Sequence, residues 1–139
     1  VFAANSPCED GIAVRSGGAP HAHVFAAVLD GHGGGECMEF CRDRLYDAAH
    51  DAVSAGAPVR DALTHAFLSA DAEYIASAAR GYRSGRCSAR QWTLTGACVA
   101  AVWVDLDAGE AHVATAGDCR CVLVGAGSGA DAWRAVGEA

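Results

Sequence analysis

The chain has 139 residues, 52% of them hydrophobic, enough to enclose the core of a single domain. Its formal net charge is −7 and its ten basic residues form no run, which argues against a nucleic-acid or anionic-membrane partner. The longest apolar runs, Val24–Leu29 and Ala97–Val104, fall far short of the ~20 residues that span a bilayer, and no secretory signal is visible.

"NSPCED" (Asn5–Asp10) reads as a turn, with Pro7 fixing the backbone ahead of two acids. A strand is expected at Gly11–Arg15, a Gly/Pro-rich link at "SGGAPHAH", and a second strand at Val24–Leu29, together a hairpin. After "DGHGGG", the residues Met38, Cys41, Leu45, Ala49 and Ala52 recur at helical spacing. Gly56 and Pro58 stop that helix and open another, whose stripe Val59, Leu63, Phe67, Ala70 and Tyr74 runs to about Ala79. "RGYRSGRCSARQW" is glycine-broken and reads as a loop, carrying the one local basic cluster (Arg80, Arg83, Arg86, Arg90).

From Thr95 onward the pattern turns to strands. They are expected at Val99–Val104, Ala111–Ala116, Cys121–Val124 and Trp133–Val136. A turn at "DLDAGE" should place Gly109 at positive φ. This order gives an α+β class with helices on antiparallel sheet. No internal repeat is visible. The chain opens on Val1 and stops at Ala139 within strand-and-turn sequence, so a piece of a longer protein is expected.

Chemistry concentrates at "VLDGHGGGE" (Val28–Glu36). A carboxylate at the end of a buried strand is costly unless something pairs with it, and Asp30 stands there. The glycines beside it let backbone carbonyls approach a ligand, and hard cations such as Mg²⁺ and Mn²⁺ prefer oxygen donors. His32, two residues on, can hold a metal or donate a proton to a leaving oxygen. The same stretch can equally be a glycine-rich strand-to-helix turn with Asp30 as a local cap. A phosphate-cradling loop fits poorly, since no Gly-Lys-Ser/Thr follows. Glu9 and Asp10 form a second acidic pair that a solvated turn would also explain, and Asp118 in "TAGDCRCVLV" suits a turn cap.

The seven cysteines are an odd count, mostly inside apolar segments, and reduced thiols are expected. Cys37 and Cys41 are four apart on a helix and could share a metal, but they fall on its apolar stripe. His21 and His23 are placed in a loop. A zinc site needs four convergent ligands, and the spacings resemble no common pattern. No motif supports a cysteine or serine nucleophile.

Four stretches in order, "CED" at Cys8–Asp10, "VLDGHGG" at Val28–Gly34, "TGACVAAVWV" at Thr95–Val104 and "HVATAGDCRCVLV" at His112–Val124, resemble the metal-dependent type 2C Ser/Thr protein phosphatases (the PPM family). "ANSPCED" and "DAWRAV" look most like its pyruvate dehydrogenase phosphatase branch. The resemblance implies a four-layer α-β-β-α sandwich of antiparallel sheets, with residues 1–139 as the N-terminal part of the catalytic domain. It implies two or more Mg²⁺ or Mn²⁺ ions, and hydrolysis of phosphoserine or phosphothreonine in a phosphoprotein by a metal-bridged hydroxide.

Carried over residue by residue, Asp30 would bridge the ions and the Gly31 carbonyl would bind one. Glu9 would ligate the second ion, directly or through water, and Asp10 would support the cluster. Asp118 would serve a weaker ion, and His32 would be the general acid. The expected location is intracellular, cytoplasmic or mitochondrial.

Departures from the family pattern are specific. Asn5 stands where the family often has a phosphate-gripping arginine, Leu29 replaces the usual Phe, and Cys98 and Cys119 occupy places where small hydroxyl residues are common. The family's later metal-binding aspartates lie beyond Ala139. The alternative is a catalytically inactive relative that uses the fold to bind partners.

Overall fold

A computed structural model describes residues 7–18, 21–85, 94–126 and 133–138. Asn5, Arg86 and Arg90 lie outside them. The elements run β1 (Gly11–Gly17), β2 (His23–His32), α1 (Glu36–Ser54), α2 (Val59–Arg83), β3 (Gly96–Asp105), β4 (Glu110–Ala116), β5 (Val122–Ala126) and β6 (Trp133–Glu138). The first four strands form one antiparallel sheet in the order β1-β2-β3-β4, and β5 pairs with β6 separately.

Strand alternation sorts the sheet into two faces. Ala13, Phe25, Ala27, Leu29, Val99, Ala101 and Trp103 point to one face and are buried together with Met38, Leu45 and Ala49 of α1 and Leu63, Ala66 and Ala70 of α2. Helix α1 lies across β1, β2 and β3, while α2 packs on α1 and reaches β4. Each fully buried large side chain here (Trp103, Phe25, Leu29, Leu63) contributes about 1.5–3 kcal/mol of transfer free energy. The other face carries Ile12, Val14 and Val28, each more than half exposed. The expected α+β class holds, and the described helices supply a layer on one face of the sheet only.

The hairpin and both helices match the periodicity, and Gly109 has φ 69° in the β3–β4 turn. That turn is held by Asp105, whose Oδ1 accepts from Asp107 N at 2.9 Å and Ala108 N at 2.8 Å. Several boundaries move, among them the start of β3, which lies at Gly96 and not Val99. Helix α2 continues through Arg80–Arg83, because Gly81 is tolerated and the helix stops only at Ser84 and Gly85, the latter at φ 68°. Strand β2 does not end at Leu29 but continues through Asp30, Gly31 and His32, which pair with Cys98, Ala97 and Gly96 of β3.

His23 also departs from its loop placement. It opens β2, is buried, and stacks on Trp103 with ring centroids 4.0 Å apart. Its Nδ1–H donates to the His21 carbonyl at 2.8 Å and its Nε2 accepts from the Tyr46 hydroxyl at 3.2 Å, so both ring nitrogens are satisfied. Among the described residues no helix is long and apolar enough to cross a membrane.

Candidate metal centre

The last three residues of β2 form the middle of the site. Asp30 and His32 are two apart in an extended strand, hence on one face, and both are exposed. Gly31 between them points the opposite way and is buried. A Cβ added to it would sit 2.3 Å from the Glu9 carbonyl oxygen, so only glycine lets the incoming chain lie against β2 here. The pairing of Gly11 with Leu29 explains this approach: the residues just before β1 continue antiparallel along the end of β2. Glu9, half-buried, and Asp10, exposed, are thereby brought to the Asp30–Gly31 end.

The opposite neighbour is β3, where Cys98 pairs with Asp30. The turn after β4 folds back over the same corner. Gly117, at φ 83°, packs so closely on Cys98 that a Cβ would meet its Sγ at 2.4 Å. Beyond it the Asp30 backbone amide donates to the Cys119 thiol, which burial holds above the ordinary thiol range. Asp118 is the exposed residue beside Cys119, so this turn carries its carboxylate to the Asp30 end of the sheet.

His32 lies over Gly96, where an added Cβ would reach Nε2 at 2.4 Å. Past His32 the backbone turns through Gly33 and Gly34 at φ 76° and 139°. Gly33 passes so near the Leu94 carbonyl that no side chain fits. Gly35 caps α1 without a side-chain hydrogen bond, so Asp30 is not a helix cap and its carboxylate is left free of that role. Thr95, at the start of β3, hydrogen-bonds to the Tyr74 hydroxyl and packs its methyl toward Gly34, tying α2 to the glycine turn.

The carboxylates of Glu9, Asp10, Asp30 and Asp118, with the carbonyls freed by glycine, are hard oxygen donors of the kind Mg²⁺ and Mn²⁺ take. The absence of a side chain at Gly31 is what lets the Glu9 backbone lie against this end of β2. Among the described residues, however, no three His, Cys, Asp or Glu side chains converge on one ion position. The sheet thus assembles part of a donor set at one corner.

Sequence reasoning missed two participants, Cys119 against Asp30 and Leu94–Thr95 against the glycine turn. Both contacts join segments some 60 or more positions apart, so no local spacing announces them; the glycines at 33, 34 and 117 are the only signal, marking where another backbone must pass close.

A family model described as protein phosphatase 2C matches residues 4–133, nearly the whole chain. The chain belongs to the protein phosphatase 2C family. It is 34% identical over 129 residues to "Probable protein phosphatase 2C 61" of Oryza sativa subsp. japonica, covering 86% of this chain and 30% of that protein. It is 28% identical over 109 residues to "Probable protein phosphatase 2C 30" of Arabidopsis thaliana, covering 74% of this chain and 24% of the relative. Among solved structures it is similar to a Stage II Sporulation E family protein from Thermanaerovibrio acidaminovorans, with 27% identity, a TM-score of 0.48, and coverage of 84% of this chain and 49% of that one. The chain therefore spans less than a third of the length of these type 2C phosphatase relatives.

Proposed function

We propose that the protein carrying this chain hydrolyses phosphoserine and phosphothreonine in phosphoproteins, with Mg²⁺ or Mn²⁺ as cofactor. The observation that supports this best is the end of β2: Asp30 exposed at a fixed strand position, Gly31 stripped of side chain, and the Glu9 backbone laid against it. Asp30 and Glu9 would hold the ions together with the Gly31 carbonyl, Asp10 would support them through hydrogen bonds, and Asp118 would serve an additional, weaker ion. The remaining ligands would come from the part of the protein beyond these residues, which accords with the incomplete donor set at this corner. When bound, two such ions supply a water-derived nucleophile at neutral pH and draw charge from the phosphoryl oxygens.

His32 performs the protein's own proton step. Its imidazole is exposed, two residues along the strand from Asp30 and on the same face, held over the bare Gly96 backbone. From there it hands a proton to the departing serine or threonine oxygen, which would otherwise leave as a poor alkoxide.

The test is Mn²⁺-dependent hydrolysis of a phosphopeptide by the full-length protein and by its Asp30→Asn variant. Loss of activity in the variant is expected. Equal activity in both refutes the assignment of Asp30, and a full-length protein that binds the phosphopeptide without hydrolysing it favours a non-catalytic binding role.

A further inference from the structure

Between the helices and the sheet, adjoining His32 and Cys98, lies a second group of reactive side chains. A cavity of about 760 Å³ opens between α1, α2 and the start of β3. Its walls are mostly apolar, with Leu45, Phe67 and Ala70 among them, yet the thiols of both Cys37 and Cys41 line it. These two residues are one helical turn apart on α1, so their side chains lie side by side. They hydrogen-bond to each other, which holds the Cys37 thiol below its ordinary range and the Cys41 thiol above it. The carboxylate of Asp71 on α2 lines the same cavity and gives it negative charge near both sulfurs.

Three uses of a thiol pair can be weighed on geometry. A disulfide needs Cβ atoms ~3.5–4.5 Å apart, whereas helix positions four apart hold them at ~5–6 Å, and α1 is unbroken from Glu36 to Ser54. A structural zinc site needs four ligands, and among the described residues no three candidate ligands converge. A soft monovalent cation needs neither: it prefers sulfur, and two thiolates suffice.

We propose that Cys37 and Cys41 form a two-sulfur site for a soft monovalent cation, Cu⁺ being the representative, within the cavity between α1 and α2. Binding is ligand exchange without electron transfer. Each S–H bond gives its proton to solvent, two S–Cu bonds form, and copper stays in the +1 state. The site shares no ligand with the carboxylates, although His32 lines the same cavity, and copper binding is read separately from turnover.

The experiment titrates the reduced full-length protein anaerobically with Cu⁺ held by a competing chelator, alongside Cys37→Ala, Cys41→Ala and Cys98→Ala variants. X-ray absorption then counts the sulfur neighbours of the bound ion. Cys98, which also lines the cavity, is the control for a third donor. The expected result is loss of one equivalent of tightly held copper in each of the first two variants, its retention in Cys98→Ala, and two sulfur neighbours per ion. Retention of that equivalent in either Cys37→Ala or Cys41→Ala, or three sulfur neighbours, overturns the proposal. Circular dichroism checks the fold of each variant; should Cys37→Ala unfold, Cys41→Ala, at the less buried thiol, decides alone.

Discussion

The two ends of β2 are built from the same strand in opposite ways. At its start, His23 is buried under Trp103 and boxed by Tyr46 and His50, with ring centroids 4.0–6.0 Å from its own and every ring nitrogen paired. At its finish, Asp30 and His32 are exposed, flanked by glycine, and approached by backbone instead of side chains. Aromatic packing in the first region stabilises the native state, while the second leaves polar groups unspent for a ligand. The contrast teaches that one strand can divide stability and chemistry between its two ends.

That division is open to attack from either side. The largest effect is expected from His32→Ala in the full-length protein: phosphopeptide turnover should fall ~10²–10⁴-fold, with the thermal midpoint little changed. A large drop in midpoint would show that His32 supports the fold and blur the distinction. Trp103→Ala should do the reverse. It removes the largest side chain that is fully buried among the described residues and should cost ~3–5 kcal/mol in denaturant unfolding.

Gly31→Ala is sharper because it tests the approach of backbone at the exposed end. Its Cβ would meet the Glu9 carbonyl at 2.3 Å, so the segment before β1 must shift, at ~1–3 kcal/mol by chemical denaturation. Metal-dependent turnover should fall further than that loss of stability explains. Tyr74→Phe should cost the least, ~0.5–1.5 kcal/mol, as the Thr95 hydroxyl loses its partner beside the glycine turn.

Asp105 gives a pH signature remote from the site. The amide N–H groups of Ala108 and Asp107 hold its carboxyl below the ordinary value of 3.8. A depressed carboxyl adds stability above its unfolded pKa and loses it as pH falls toward the folded one. The stability gap between wild type and Asp105→Asn should therefore narrow below about pH 4, read from thermal melts across pH.

Much of the architecture was legible because it rests on short-range pattern. The apolar run Val24–Leu29 and the Leu63, Phe67, Ala70, Tyr74 stripe each announce an element, and Gly109, found at positive φ, announces its turn. The end of β2 was misread for a physical reason. Asp and Gly are poor strand formers, so Asp30–His32 looked like the loop beyond a strand, yet pairing with Cys98–Gly96 from a distant segment overrides that preference. Asp30, Gly31, Glu9 and His32 stood out as chemistry-bearing types, whereas the return of Cys119 onto Asp30 depends on two turns and three strands that no local window contains. The aromatic enclosure of His23 was hidden likewise, since Tyr46 and Trp103 arrive from α1 and β3.

Since β2 is an interior strand, Asp30 sits within a ladder paired along one side by β3 and met on the other by the segment leading into β1. The β2 amides leading up to it, paired with β1 and β3, should exchange with deuterium only when the sheet itself opens, far more slowly than the amides of the Gly33–Gly35 bend. An anchor that slow cannot be the moving part of any on–off control. Whatever tunes this centre must act by delivering or withdrawing the groups that come to meet it.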